Sequence, residues 1–203
     1  MTLAFQKFMR QHEKTGSEKA DGYSDDVFSG LAEEEKNIAF SILLKELPWS
    51  SEWIFLLDKE RAVRALVEKE RQLRGDGNEH VYLIQQNLVK YTGNLEYQKR
   101  MIEDYPVYLN RLKPLVVDSI NRTPINKATI EFFKEVILVE ADASAVARAS
   151  RHLLSAVKFP NNNDIEMASY KQLEKELRSE NGQVKQRALA KLRKYEVDII
   201  SEV

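Results

Sequence analysis

The chain has 203 residues and a formal net charge of -1, with 31 Lys and Arg against 32 Asp and Glu. Hydrophobic residues at 43% and charged residues at 31% suffice for one folded domain or a short repeat array, which excludes wholesale disorder. The absence of cysteine excludes a disulfide scaffold, a thiolate metal site and a cysteine nucleophile, and the near-neutral charge argues against a dedicated nucleic-acid binder.

Met1–Arg10 carries Leu3, Phe5, Phe8 and Met9, which predicts a helical turn. It lacks the apolar run and small-residue cleavage site of a secretory signal, and no stretch of about 18 apolar residues follows. The expected location is the cytoplasm. Gln11–Ser29 is polar and contains Gly16 and Gly22, so a loop is expected, with Phe28 and Leu31 docking at its end. Residues 1–30 are therefore read as a helical turn and polar loop leading into one globular unit, 31–203.

Leu31–Leu47 repeats apolar residues at helical spacing through Leu31, Ile38, Ile42, Leu43 and Leu44, and Pro48 stops it. Trp49–Leu57 is short and apolar. Asp58 has the chemistry of an N-cap for Lys59–Arg74, whose buried face would use Ala62, Val63, Leu66, Val67 and Leu73. Gly75-Asp76-Gly77 breaks the chain before a helix over 78–91, and Thr92-Gly93-Asn94 separates that from one over 95–104. Tyr105–Asn121 should be helical from Val107 and kinked or interrupted at Pro114. Helices over 126–140, 143–159 (capped by Asp142), 164–179 (capped by Asp164) and 183–195 complete the chain, with the tail 196–203 extending the last one or fraying. The fold class is all-α, with about nine or ten helices in antiparallel pairs. Only Leu115–Ile120 and Glu135–Val139 tolerate a strand.

Candidate chemistry is sparse. His12, His80 and His152 do not pair at metal-ligand spacing, and neither a Gly-rich phosphate loop nor a Gly-x-Ser-x-Gly elbow is present. His80 should be solvated, and His152, beside Arg148 and Arg151, should serve a surface or helix seam. No cofactor and no metal is expected, and the chain is read as a non-enzyme. Charge is uneven: residues 1–60 hold seven Lys or Arg against twelve Asp or Glu. The excess centres on Asp21, Asp25, Asp26, Glu33, Glu34 and Glu35. Two readings stay open, solvated loop and helix N-terminal carboxylates or a recognition surface for a basic protein. The basic residues Lys171, Lys175, Arg178, Lys185, Arg187, Lys191, Arg193 and Lys194 are interleaved with glutamates, as on a salt-bridged face. Tyr82, Tyr91, Tyr97, Tyr105 and Tyr108 are expected to pack in the core.

Several helices open with a polar cap, then Val, then a basic residue: Asp58…Val63-Arg64, Asp142…Val146-Ala147-Arg148 and Asn181…Val184-Lys185. Val184-Lys185, Ala188 and Leu192 resemble the HEAT repeat pattern, although Arg148 comes one place late and Val81–Asn121 matches poorly. The valines lie 83 and 38 residues apart, close to two units and one of about 40. The resemblance implies a short α-solenoid, with a curved bundle as the alternative, in which the basic residue ties neighbouring repeats together. Phe28-Ser29-Gly30-Leu31, the Glu-rich turn after it and the Trp/Leu-rich run ending at Asp58 resemble bacterial immunity proteins that neutralise a cognate toxin. That resemblance implies a monomer or weak dimer whose acidic face meets a basic toxin, without nucleic acid or membrane. The alternatives are a HEAT-like DNA glycosylase or other DNA binder, and a self-associating helical scaffold.

Overall fold

The computed structural model describes residues 1–200, apart from the side chains of residue 20 and residues 197–200. Their regular structure is helical throughout, with no strand among the described residues, and Leu115–Ile120 and Glu135–Val139 lie in helices. Contacts divide the chain into two compact units, Met1–Asn94 and the chain from Leu95 onward. The expected boundary at residue 30 lies within the first unit. The Asn94/Leu95 division falls inside Val81–Asn121, where the repeat pattern is weakest. No helix among the described residues is long and apolar enough to cross a membrane.

The first unit holds α1 (Leu3–His12), α2 (Gly16–Ala20), α3 (Asp26–Ser29), α4 (Glu33–Lys45), α5 (Lys59–Leu73) and α6 (Val81–Thr92), with two 3-10 turns at Trp49–Ser51 and Trp53–Leu56. The hydroxyl of Thr2 caps α1 by accepting from the Phe5 N–H at 3.1 Å. The expected loop over 11–29 therefore starts later and contains α2 and α3. Apolar burial supplies the reason: Phe8, Tyr23, Val27, Phe28 and Leu31 are all buried, and Phe8 stacks on Tyr23 with ring centroids 5.0 Å apart.

Helix α4 buries Ala39, Phe40 and Leu43 together with Glu35, while Ile38 and Leu44 of the expected stripe are exposed. Glu35, Ala39 and Leu43 stand four residues apart, so the buried face is turned toward the carboxylate. Asp58 caps α5 as expected, accepting from the Arg61 N–H at 3.0 Å. Its buried row is Ala62, Leu66 and Glu70, and Val67 faces solvent. Glu70 is tolerated inside because Gln85 of α6 donates to it at 3.2 Å. Gly93, at φ +71°, closes α6 through a bond from its N–H to Val89 O.

The second unit holds α7 (Glu96–Asp104), a 3-10 turn at Tyr105–Val107, α8 (Lys113–Asn121), α9 (Lys127–Val139), α10 (Ala143–Ala156), α11 (Asp164–Leu177) and α12 (Gly182–Ile200). Pro114 does not interrupt a helix begun at Val107. It sits in the first turn of α8, where a missing N–H costs nothing. Asn126 and Thr129 form a capping box on α9, and Asp142 caps α10 by accepting from the Ala145 N–H at 2.8 Å. The cap of α11 is Asn163, one residue before the expected Asp164, and its side-chain Oδ1 accepts from the Ile165 and Glu166 N–H groups. Helix α10 packs on α8, α9 and α11, while α12 packs on α11 and α9. Helix α12 continues past Tyr195 to Ile200; the expected tail at 201–203 lies outside the described residues. Tyr82, Tyr105 and Tyr108 are buried, as core packing requires, and Tyr91 stacks on Phe55.

Candidate functional site

The six carboxylates singled out in the sequence separate into three kinds. Glu35 is an internal anchor. Its Oε1 accepts from the Thr2 N–H at 2.7 Å, and its Oε2 accepts from the Thr2 hydroxyl at 2.7 Å and the Ala32 N–H at 3.0 Å. The Thr2 hydroxyl is the chief reason its carboxyl is held below the ordinary value. The expectation that Glu35 faces a partner is thus corrected, because its oxygens join the starts of α1 and α4. Asp26 and Glu33 are exposed but engaged, with Lys7 at 3.4 Å and Lys36 at 3.2 Å. Asp21, Asp25 and Glu34 are exposed and have no ion pair among the described residues.

Helix α1 serves as a ruler for these groups. Asp26 reaches it at Lys7 and Glu35 at Thr2. Five residues separate those anchors, or about 7.5 Å along the axis. Asp26 and Glu35 are thus the two carboxylates tied to α1, while Asp25 adjoins the first along the chain and Glu33 and Glu34 precede the second. Asp21 adjoins Gly22 and Tyr23, which sit by Trp53 and His12, and His12 lies about 7.5 Å along the helix beyond Lys7.

That far end carries a polar knot that no local spacing announced. Glu46 Oε1 accepts from His12 Nδ1 at 3.0 Å and Lys19 Nζ at 2.7 Å, and its Oε2 accepts from the Tyr23 hydroxyl at 2.8 Å. Lys19 completes its three donors on the Tyr23 oxygen at 3.1 Å and the His12 carbonyl at 3.0 Å. Burial first, and Glu46 second, push the Tyr23 hydroxyl far above its ordinary value, so it remains a donor. The knot contains acid–base residue types, but their hydrogen-bonding groups are engaged with one another.

Two further sets tie the second unit together. Asp118 of α8 receives His152 Nε2 at 2.7 Å and Arg148 Nη1, both from α10. The carboxylate favours an imidazolium, but it is already matched by Arg148. Burial, then Arg151, Arg148 and Arg122, turn the balance toward neutral His152. The second set is Lys113, Tyr105 and Glu140, with Lys113 Nζ 2.9 Å and the Tyr105 hydroxyl 3.0 Å from Glu140 Oε2. It lines a pocket between α7 and α9.

The basic residues of α11 and α12 are partly matched: Lys191 lies 2.6 Å from Glu176, Arg178 lies 3.6 Å from Glu174, and buried Lys185 donates to Ile137 O at 2.6 Å. His80 is exposed and contacts the Tyr82 hydroxyl at 2.8 Å. No group of three or more His, Asp or Glu placed to hold a metal occurs among the described residues.

Comparison with known proteins finds no matching family profile, no significantly similar curated sequence and no significantly similar solved structure.

Proposed function

We propose that this chain is a protein-binding module for a basic partner, and that its binding neutralises a toxin by covering the toxin's active surface. The observation that carries this reading is the exposure of Asp21, Asp25, Asp26, Glu33 and Glu34, of which Asp21, Asp25 and Glu34 have no ion pair among the described residues. Opposed fields of this kind raise association rates and fix partner choice. The HEAT-like form of the reading is supported by Val146, Ala149, Leu153, Ala188 and Leu192, all buried in their seams, and by Lys185 and Arg148, whose side chains bond to the neighbouring helices α9 and α8. The non-enzymatic reading is supported by the His12, Lys19, Tyr23 and Glu46 set, whose members bond to one another.

The test compares wild type with a variant carrying Asp25→Asn, Asp26→Asn, Glu33→Gln and Glu34→Gln in a native-lysate pull-down at moderate salt. Glu35 is left intact because it anchors α1. One stoichiometric basic protein, captured by wild type and lost by the variant, is expected. Equal capture by both forms overturns the reading.

One observation favours DNA binding as a second reading. Arg122, which follows the end of α8, and Arg148 and Arg151 of α10 all act electrostatically on His152, although Arg148 pairs with Asp118 and Arg151 lies 4.0 Å from Glu174. Duplex DNA binding whose affinity falls steeply with salt, and falls further on Arg122→Ala, would favour it.

A further inference from the structure

A pocket of about 260 Å³ lies against α9 in the second unit, with walls from Ile102, Phe132, Val136 and Val139. Burial orders its lining. Val139 is 73% exposed and Glu135 is exposed, which places them at the mouth. The side chains of Lys113 and Glu140 are 15% and 7% exposed, and Tyr105 is buried, which places these three at the floor.

The floor has unequal hydrogen-bond accounts. Glu140 is full: Oε1 accepts from the Ala141 N–H at 2.8 Å and the Asp142 N–H at 3.0 Å, while Oε2 takes Lys113 and Tyr105. Tyr105 gives its proton to Glu140 and has no second donor to offer. The Lys113 ammonium carries three N–H groups, and Glu140 takes one. Two donors remain without a hydrogen-bond acceptor among the described residues, on a largely buried cation that also stands 5.6 Å from the Tyr105 ring centre. An incoming acceptor gains most there if it is itself charged, since ionised partners make the stronger hydrogen bonds. Glu135 sets the opposite limit at the mouth, where it repels a second negative charge.

We propose that this pocket binds a small monocarboxylic acid with an aromatic or branched aliphatic body. The carboxylate meets the two open donors of Lys113, and the body packs on Phe132, Val136 and Ile102. The volume equals about nine liquid-water volumes, which suits a ligand of about ten non-hydrogen atoms. This inference does not depend on the protein-binding reading.

Phenylacetate is the probe, titrated into methyl-labelled full-length protein and followed by NMR. A ligand of this size should saturate with Kd about 1 mM and move the methyl signals of Ile102, Val136 and Val139. Phenethylamine, benzyl alcohol and phenylmalonate at equal concentration should bind at least about tenfold more weakly. Val139→Trp closes the mouth from an exposed position and should abolish binding while leaving the thermal melt unchanged. Lys113→Arg should keep affinity within about threefold, because it preserves the cation and its Glu140 pair, whereas Lys113→Met should lose about tenfold or more. If Lys113→Met does not fold, Val139→Trp and the ligand series still decide. The proposal is overturned by absence of saturable shifts at about 20 mM phenylacetate, by amine binding equal to acid binding, or by a Val139→Trp variant that binds normally.

Discussion

Each unit contains a lysine, a tyrosine and a glutamate in mutual contact, and the two sets behave differently. In the first unit, Lys19 directs its donors at Glu46, the Tyr23 oxygen and the His12 carbonyl, so the cation is fully matched. In the second, Lys113 has Glu140 as its one hydrogen-bonding partner among the described residues and otherwise stands 5.6 Å from the centre of the Tyr105 ring. The cause is who supplies the carboxylate's other partners. Glu46 draws on side chains, His12 among them, which crowd around Lys19 as well. Glu140 draws two backbone N–H groups from the start of the α9–α10 connection, which leave the space beside Lys113 open. Identical residue types thus make a structural rivet in one place and a receptive floor in the other. Unmatched donors, not residue identity, distinguish the two.

Removing each carboxylate's charge is the strongest way to break this contrast. Glu140→Gln should destabilise the protein by about 3 kcal/mol in urea unfolding, because Lys113 is left largely buried without a counter-charge. Glu46→Gln should cost less, about 2 kcal/mol, since Lys19 retains two acceptors and the site is more open to water. A larger loss for Glu46→Gln would refute the account of Lys19 as fully matched. The pH profile sharpens it. Burial pushes the Glu140 carboxyl up, but Lys113, the Asp142 N–H and Tyr105 outweigh burial and hold it below the ordinary value of 4.5. Its folded value thus lies below its unfolded one. The stability it contributes is complete above the unfolded value and is lost as pH falls through the folded value. Glu140→Gln should remove that portion of the acid limb, read as unfolding midpoints at stepped pH.

The rivet of the first unit also depends on a backbone feature. Gly22 has φ +78°, and a Cβ there would sit 2.2 Å from the Trp53 ring. Gly22→Ala therefore combines a disfavoured conformation with a steric clash and should cost about 2 kcal/mol, with Trp53 fluorescence altered in the folded state. The same substitution at Gly75, where φ is +92° but no atom lies within 4 Å, isolates the backbone part.

Legibility of the fold followed the range of the interactions involved. Caps, breaks and helix faces are local, so Asp58, Asp142, Gly93 and Pro48 marked their boundaries and Val146, Ala149 and Leu153 marked a buried seam. Errors arose where a distant group overrode local pattern. Ile38 is apolar at helical spacing, yet Thr2, 33 residues from Glu35, draws α4 round so that Glu35 is buried and Ile38 exposed. The helices α2 and α3 escaped notice because their anchors, Tyr23 and Phe28, pack on Phe8 rather than on each other's turns. The candidate sites were the least legible part. Of the six carboxylates, five are exposed, and nothing local in the sequence separates them from buried Glu35. Lys113, Tyr105 and Glu140 carried no signal as a set, since Lys113 and Glu140 are 27 residues apart and Tyr105 resembled any core tyrosine. A weak clue existed in Glu140 itself, a carboxylate placed just before the N-cap Asp142, where unpaired backbone N–H groups are available.

The finest distinction between the two sets lies in their tyrosines. The Tyr23 hydroxyl is a junction: it donates to Glu46, accepts from Lys19 at 3.1 Å and stands 3.3 Å from His12 Nδ1. The Tyr105 hydroxyl serves Glu140. Tyr23→Phe withdraws a donor from one buried carboxylate and an acceptor from one cation, so about 1.5 kcal/mol should be lost. Tyr105→Phe withdraws a donor from a carboxylate that keeps three others, and about 1 kcal/mol or less should be lost. Burial raises both hydroxyls far above the ordinary tyrosine value, so neither substitution should alter stability differently between pH 7 and pH 9. Their effects on phenylacetate should diverge in kind. Tyr105→Phe leaves Lys113 with the same two open donors and deepens the apolar floor, so affinity should hold or rise by up to about twofold. A loss of affinity on Tyr105→Phe would mean that the ligand takes its hydrogen bond from Tyr105, and the floor would have to be rebuilt with Glu140 bound to Lys113 alone.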